Sequence, residues 1–173
     1  KKGGKWQIMA EFVCLKAFEH FVKLCVLSAH IKNERSVSGL IVAEPESAKT
    51  ELLRQFKGVK GIKYFTDLTA YGIQKNHLEN IKKGLIKTII VPDMIKLCQR
   101  KQSTVNDLLA FLNSLIEEGI GDVSTYAVNI NFSEEEKRVR CNFITAVTKG
   151  ILADGRYRWG KMGFFSRFLP LSY

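Results

Sequence analysis

The sequence predicts an α/β domain with a mainly parallel sheet and helices on both of its faces. Three observations predict it. The runs GLIVA at 39–43 and TIIV at 88–91 are short, continuous and apolar, as strands covered on both faces are. Helical segments alternate with them, and in the first, residues 8–31, apolar residues recur at three- and four-residue steps. Strands that alternate with helices in this way build parallel sheets, because each helix carries the chain back across the sheet.

The elements follow in order. Residues 1–5 read as a loose basic tail. Residues 8–31 predict one amphipathic helix, with Phe12, Leu15, Phe18, Phe21, Val22, Cys25, Val26 and Ala29 on a single stripe. KNERSVS breaks that pattern, and the strand GLIVA follows. A helix is expected over 48–57, a turn at GVKG and a strand at IKYFTDL. Residues 71–83 predict a polar helix ending near Gly84, and LIKTIIVPD a further buried strand. A helix from 103 to 118 would be capped by Ser103 or Thr104 and stopped by Gly119. VSTYAVNINF and KRVRCNFITAV alternate like two antiparallel strands joined by SEEE, which predicts an inserted β-hairpin. There is no internal repeat and no low-complexity segment.

A chain of 173 residues suits one domain with a full core. Its 46% apolar and 25% charged residues argue against disorder throughout. The net charge of +10 favours anionic partners: nucleotide, nucleic acid or an acidic protein surface. Cys14, Cys25, Cys98 and Cys141 show no metal-ligand spacing and read as reduced core thiols. His20, His30 and His77 are scattered. No apolar run approaches the roughly 20 residues of a membrane span. KKGGKWQIM has a basic start, but Glu11, Lys16, Glu19 and Lys23 follow it, so no signal peptide is expected and the compartment reads as cytoplasm.

The turn after GLIVA carries the chemistry. In a parallel sheet, ligands bind at the carboxyl ends of strands, and this turn lies at such an end. A phosphate-binding loop is written GxxxxGK[ST]: backbone N–H groups cradle phosphate, the lysine reaches the outer phosphates, and the hydroxyl holds magnesium. AEPESAKT, residues 43–50, matches the form GEPGSGKT at Glu44, Pro45, Ser47, Lys49 and Thr50. Ala43, Glu46 and Ala48 replace its glycines. A positive φ at Ala48 would cost about 1 kcal/mol. Glu46 would place a carboxylate beside an anionic ligand. The alternative is a purely structural strand-to-helix turn. The second requirement is an acid at the end of a neighbouring strand, and Asp93 after LIKTIIVP supplies one where two are usual.

Taken together, residues 38–173 resemble an AAA+ P-loop ATPase domain, most nearly that of minichromosome-maintenance-type helicases and their viral and plasmid relatives. The order of motifs carries the resemblance: phosphate loop, acidic strand, hairpin, polar strand end, arginine. DGRYR and FFSRF stand where that group has GGRYD and LLSRFD. The resemblance implies a nucleotide-binding core over 38–173, with 1–37 as basic tail and packing helix. It implies ATP on residues 43–50, with magnesium held by Thr50 and Asp93. Asp93 aligns with the magnesium aspartate by strand length and with the following glutamate by motif. Thr148 falls at the polar sensor position, and Arg167 at the arginine finger that serves a neighbouring subunit. A homo-oligomeric ring is therefore implied, as is contact between the hairpin and DNA. The helical lid that normally follows the finger is not in this sequence, which is either a fragment or lacks the lid. The lost glycines, the single acid and the lid together imply weak or absent hydrolysis.

Each role has a structural alternative. Arg167 could pair with a carboxylate, and Thr148 could satisfy backbone groups. The whole chain could be a non-catalytic scaffold that keeps the fold and binds a protein partner or nucleic acid. Tyr157, Trp159, Phe164, Phe165 and Phe168 lie among Arg156, Arg158, Lys161 and Arg167. That mixture fits a base-stacking, phosphate-contacting surface, or else a core edge or subunit interface. The acidic SEEE tip weakens the case for a DNA-touching hairpin.

Overall fold

The computed structural model describes residues 15–31, 34–121, 123–125, 128–130 and 139–172. Five strands form one all-parallel sheet: β1 (Ser38–Val42), β2 (Gly61–Tyr64), β3 (Ile86–Val91), β6 (Asn142–Val147) and β7 (Phe168–Ser172), in the spatial order β2-β3-β6-β1-β7. Two short strands, β4 (Val123–Thr125) and β5 (Val128–Ile130), pair antiparallel beside it. The expected α/β architecture with a parallel sheet and helices on both faces is present.

Side chains alternate across the sheet and divide the core in two. On one face, Phe18, Val22, Cys25 and Val26 of α1 (Lys16–Ser28) meet Leu52 and Leu53 of α2 (Lys49–Arg54), over Ile41, Ile90, Ile144 and Ala146. The other face is covered by α3 (Ala70–Asn76), α4 (Leu78–Lys82), α6 (Gln102–Asn113) and α7 (Lys149–Lys161). There, Ile73, Leu78, Leu108, Leu112 and Trp159 belong to the same cluster as Leu40, Val42, Ile89, Val91, Phe143 and Val147. Burial on both faces explains why the strands read as unbroken apolar runs. Gly39 lets α1 lie close: a Cβ there would stand 3.0 Å from the Phe21 ring and 3.2 Å from the Cys25 sulfur.

Several boundaries differ from expectation, each for a physical reason. The helix expected over 71–83 is two helices broken at His77, whose φ is −130°. Ile73 and Leu78 are both buried, and five residues apart they could not share a face of one helix; the break re-aims the second. The strand IKYFTDL stops at Tyr64. The helix expected over 103–118 runs to Asn113, continues as a π-helical turn at Ser114–Glu118 and stops at Gly119, where φ is +77°. The expected hairpin pairs differently. Val123 faces Ile130 within VSTYAVNI itself, while Asn142–Val147 enters the main sheet, where all six residues are buried. A four-residue helix, α5 (Ile95–Cys98), follows β3, and α7 and β7 complete the chain without an earlier expectation. Pro170 sits in β7 at the sheet edge, where a missing N–H is tolerated. The basic tail, residues 8–14 of the first helix and the SEEE tip lie outside the described residues.

No helix among the described residues is long and apolar enough to cross a membrane.

Candidate functional site

Three neighbouring strands end side by side, and the expected site residues follow them. Residues 43–50 follow β1, Thr148 follows β6, and Asp93 follows β3 by two positions. Backbone bonds hold the three exits together. Ala43 N donates to Val147 O at 3.2 Å, and Met94 N donates to Ala146 O at 3.0 Å. One ion pair adds to this: Lys149 Nζ lies 2.9 Å from Glu44 Oε1, both side chains exposed.

The loop backbone is unusual. Glu46 has φ +61° and Ala48 φ +55°, the two non-glycine residues with positive φ among the described residues. These are two of the positions at which the phosphate-loop pattern carries glycine. L-residues there are strained by about 1 kcal/mol each, so the surroundings must hold the conformation. Ala48 is left-handed immediately before α2 begins, so the chain turns sharply into the helix. The first-turn N–H groups of α2 have no intrahelical acceptors. The Glu46 residue is exposed, so its carboxylate faces solvent.

Lys49 closes the loop on itself. It is only 7% exposed, yet it is charged, and Nζ donates to the Glu44 carbonyl at 2.8 Å. An ammonium carries three donors. No carboxylate among the described residues pairs with this one. Thr50 is half-buried beside it, in the first turn of α2.

The flanking residues have structural work. Asp93 is half-buried, and its Oδ1 accepts from Ile95 N at 2.9 Å, which starts α5. Thr148 is the N-cap of α7, and its Oγ1 accepts from Ile151 N at 3.4 Å. Cys98, five residues beyond Asp93, has its thiol pushed up to about 11, chiefly by burial; the charge of Arg158 works against this and that of Asp93 adds to it. Among the described residues no cluster of three His, Cys, Asp or Glu could hold a metal ion.

Arg167 is placed elsewhere. It directly precedes β7, whose first residue, Phe168, pairs with Ser38 at the start of β1. The 43–50 loop follows the other end of β1, about 16 Å away by strand length. Arg167 Nε lies 2.5 Å from Glu117 Oε2, and the guanidinium also donates to the Gly163 carbonyl. Glu117 Oε1 holds Arg35 at 3.1 Å as well. Glu117 was not foreseen from sequence, and no local pattern marks it, since both partners are distant along the chain.

The basic candidates divide too. Arg156, Arg158 and Lys161 are all exposed on α7, while Trp159, Phe164 and Phe168 are buried in the core. Tyr157 alone of that aromatic group is largely exposed, at 74%. Arg158 donates to Gln102 Oε1, which joins α7 to the start of α6. Cys25, Cys98 and Cys141 are unpaired thiols, as expected; Cys14 lies outside the described residues.

No protein-family model matches the chain, and no curated protein matches it.

Proposed function

We propose that residues 43–50 bind a nucleoside triphosphate, ATP, with magnesium, in an AAA+-like domain of a DNA-processing system. One observation carries this reading: Glu46 and Ala48 keep positive φ at positions where phosphate loops use glycine, although neither residue favours it. A turn with no ligand to serve has no need of strain at both positions. The buried ammonium of Lys49, bonded to a single carbonyl, supports it further. Phosphate oxygens would supply the acceptors that its remaining donors lack. The Thr50 hydroxyl and Asp93 Oδ2 would complete the magnesium shell.

Hydrolysis on this reading is slow. Asp93 is the one acid after β3 where the pattern has two, and one of its oxygens is engaged by the Ile95 amide. Arg167 would act on the nucleotide of a second copy in a ring, and it would first have to leave Glu117.

A second reading, a non-catalytic scaffold, is favoured by a different observation. Thr148 and Arg167 are both engaged in holding the fold, as a helix cap and as an ion pair. Isothermal titration with magnesium-ATP at millimolar nucleotide separates the two. Saturable binding that Lys49→Ala abolishes supports the nucleotide site. Heat indistinguishable from dilution for both proteins leaves the scaffold.

A further inference from the structure

We propose that the outward face of α7 binds single-stranded nucleic acid, with Tyr157 as the stacking platform and Arg156 and Lys161 on the phosphates. Ala153, Arg156, Tyr157, Gly160 and Lys161 fall at helical spacing on one face, and they line an open depression of about 590 Å³. The small residues Ala153 and Gly160 leave the Tyr157 ring standing clear, and a Cβ at Gly160 would meet nothing within 4 Å. The ring is 74% exposed, in a helix whose Trp159 is 1% exposed on the inner side. Tyr157 is the most exposed large apolar side chain among the described residues. Lys161 Nζ stands 4.5 Å from the ring centroid, so a cation already sits against the ring while the residue stays largely exposed.

The charge favours a polyanion. α7 holds Lys149, Arg156, Arg158 and Lys161 against one acid, Asp154, one turn before Tyr157. Arg158 bridges to Gln102 and so carries the positive surface towards the exposed Lys101. An acidic protein would use these charges but has no need of an open ring. A duplex hides the faces of its bases. A single strand offers phosphates and unstacked bases together, which is the combination this helix presents.

The test is fluorescence anisotropy with a fluorescein-labelled oligothymidylate on the whole chain. Stacking is worth about 1–3 kcal/mol per base, so Tyr157→Ala is expected to weaken binding about tenfold or more. Tyr157→Phe keeps wild-type affinity, and Tyr157→Leu loses it, because the ring and not its bulk is the platform. With the two phosphate contacts of Arg156 and Lys161 the log–log salt slope is about −1.4, and Arg156→Ala/Lys161→Ala flattens it to about zero. Tyr157 is exposed, so these variants should melt as wild type does. Three results each overturn the proposal: no binding at low salt, equal affinity of all Tyr157 variants, or competition by polyglutamate as strong as by unlabelled oligonucleotide at equal charge.

Discussion

The ammonium of Lys49 lies 2.8 Å from the carbonyl of Glu44, five residues back, and spans the mouth of the loop that connects them. A buried cation with one neutral acceptor is poorly compensated. Lys49→Met keeps the aliphatic stem and removes the charge. It is expected to melt no lower than wild type. Under the nucleotide reading it also loses the thermal shift on adding magnesium-ATP, which for wild type at 100 times Kd corresponds to about 2.7 kcal/mol. Differential scanning fluorimetry checks both halves.

The strained pair predicts a sign. At most positions in a protein, replacing a residue by glycine lowers stability. At Glu46 and Ala48 the left-handed strain of about 1 kcal/mol is relieved, against a similar entropic cost in the unfolded chain. Each glycine substitution is therefore expected to be neutral or stabilising by up to about 1 kcal/mol. Ala110→Gly, inside α6, should cost about 1 kcal/mol. Urea unfolding of the three variants gives the comparison, and ATP affinity should rise in the double variant Glu46→Gly/Ala48→Gly.

Glu117 serves two arginines unequally. Its partner Arg167 has a side chain 19% exposed, whereas that of Arg35 is 57% exposed. Solvent screens the outer pair more. Double-mutant cycles should give a coupling near 1 kcal/mol for Glu117 with Arg167 and under about 0.5 kcal/mol for Glu117 with Arg35. Equal couplings would show that Arg167 is not anchored there.

The Cys25 thiol is raised from an ordinary 9.0 to about 11 by burial. Folded protein therefore keeps its proton where the unfolded chain has lost it. Stability from this group is complete below about pH 9 and falls as pH rises towards 11. The urea midpoint should decline across that window, and less steeply in Cys25→Ala. The same burial predicts that Cys25 and Cys141 resist a thiol reagent at pH 8 until urea unfolds the chain.

Much of the sheet could be read in advance because each strand is buried on both faces and its residues say so locally. GLIVA and TIIV needed no partner to be recognised. The hairpin failed for the opposite reason: VSTYAVNINF and KRVRCNFITAV alternate alike, and only the vacant place between β3 and β1 decides that Asn142–Val147 joins the main sheet. In the site, the eight-residue spacing was legible and placed the loop at a strand end. Its backbone was not, because alanine and glutamate do not advertise positive φ. Arg167 and Glu117 meet across fifty residues of chain, and sequence carries no trace of such a meeting.

The strand order has a consequence in time. β1 is the first strand of the sheet to leave the ribosome, yet both of its neighbours come last. Ser38 Oγ receives the Phe143 amide, 105 residues later in the chain, and β7 arrives later still. Until then SGLIV has no strand to pair with, and α1 is its earliest cover. Folding of this sheet must wait on distant contacts, which makes it slow for its size. Over that interval the segment most exposed to wrong pairing is the one that later carries the loop.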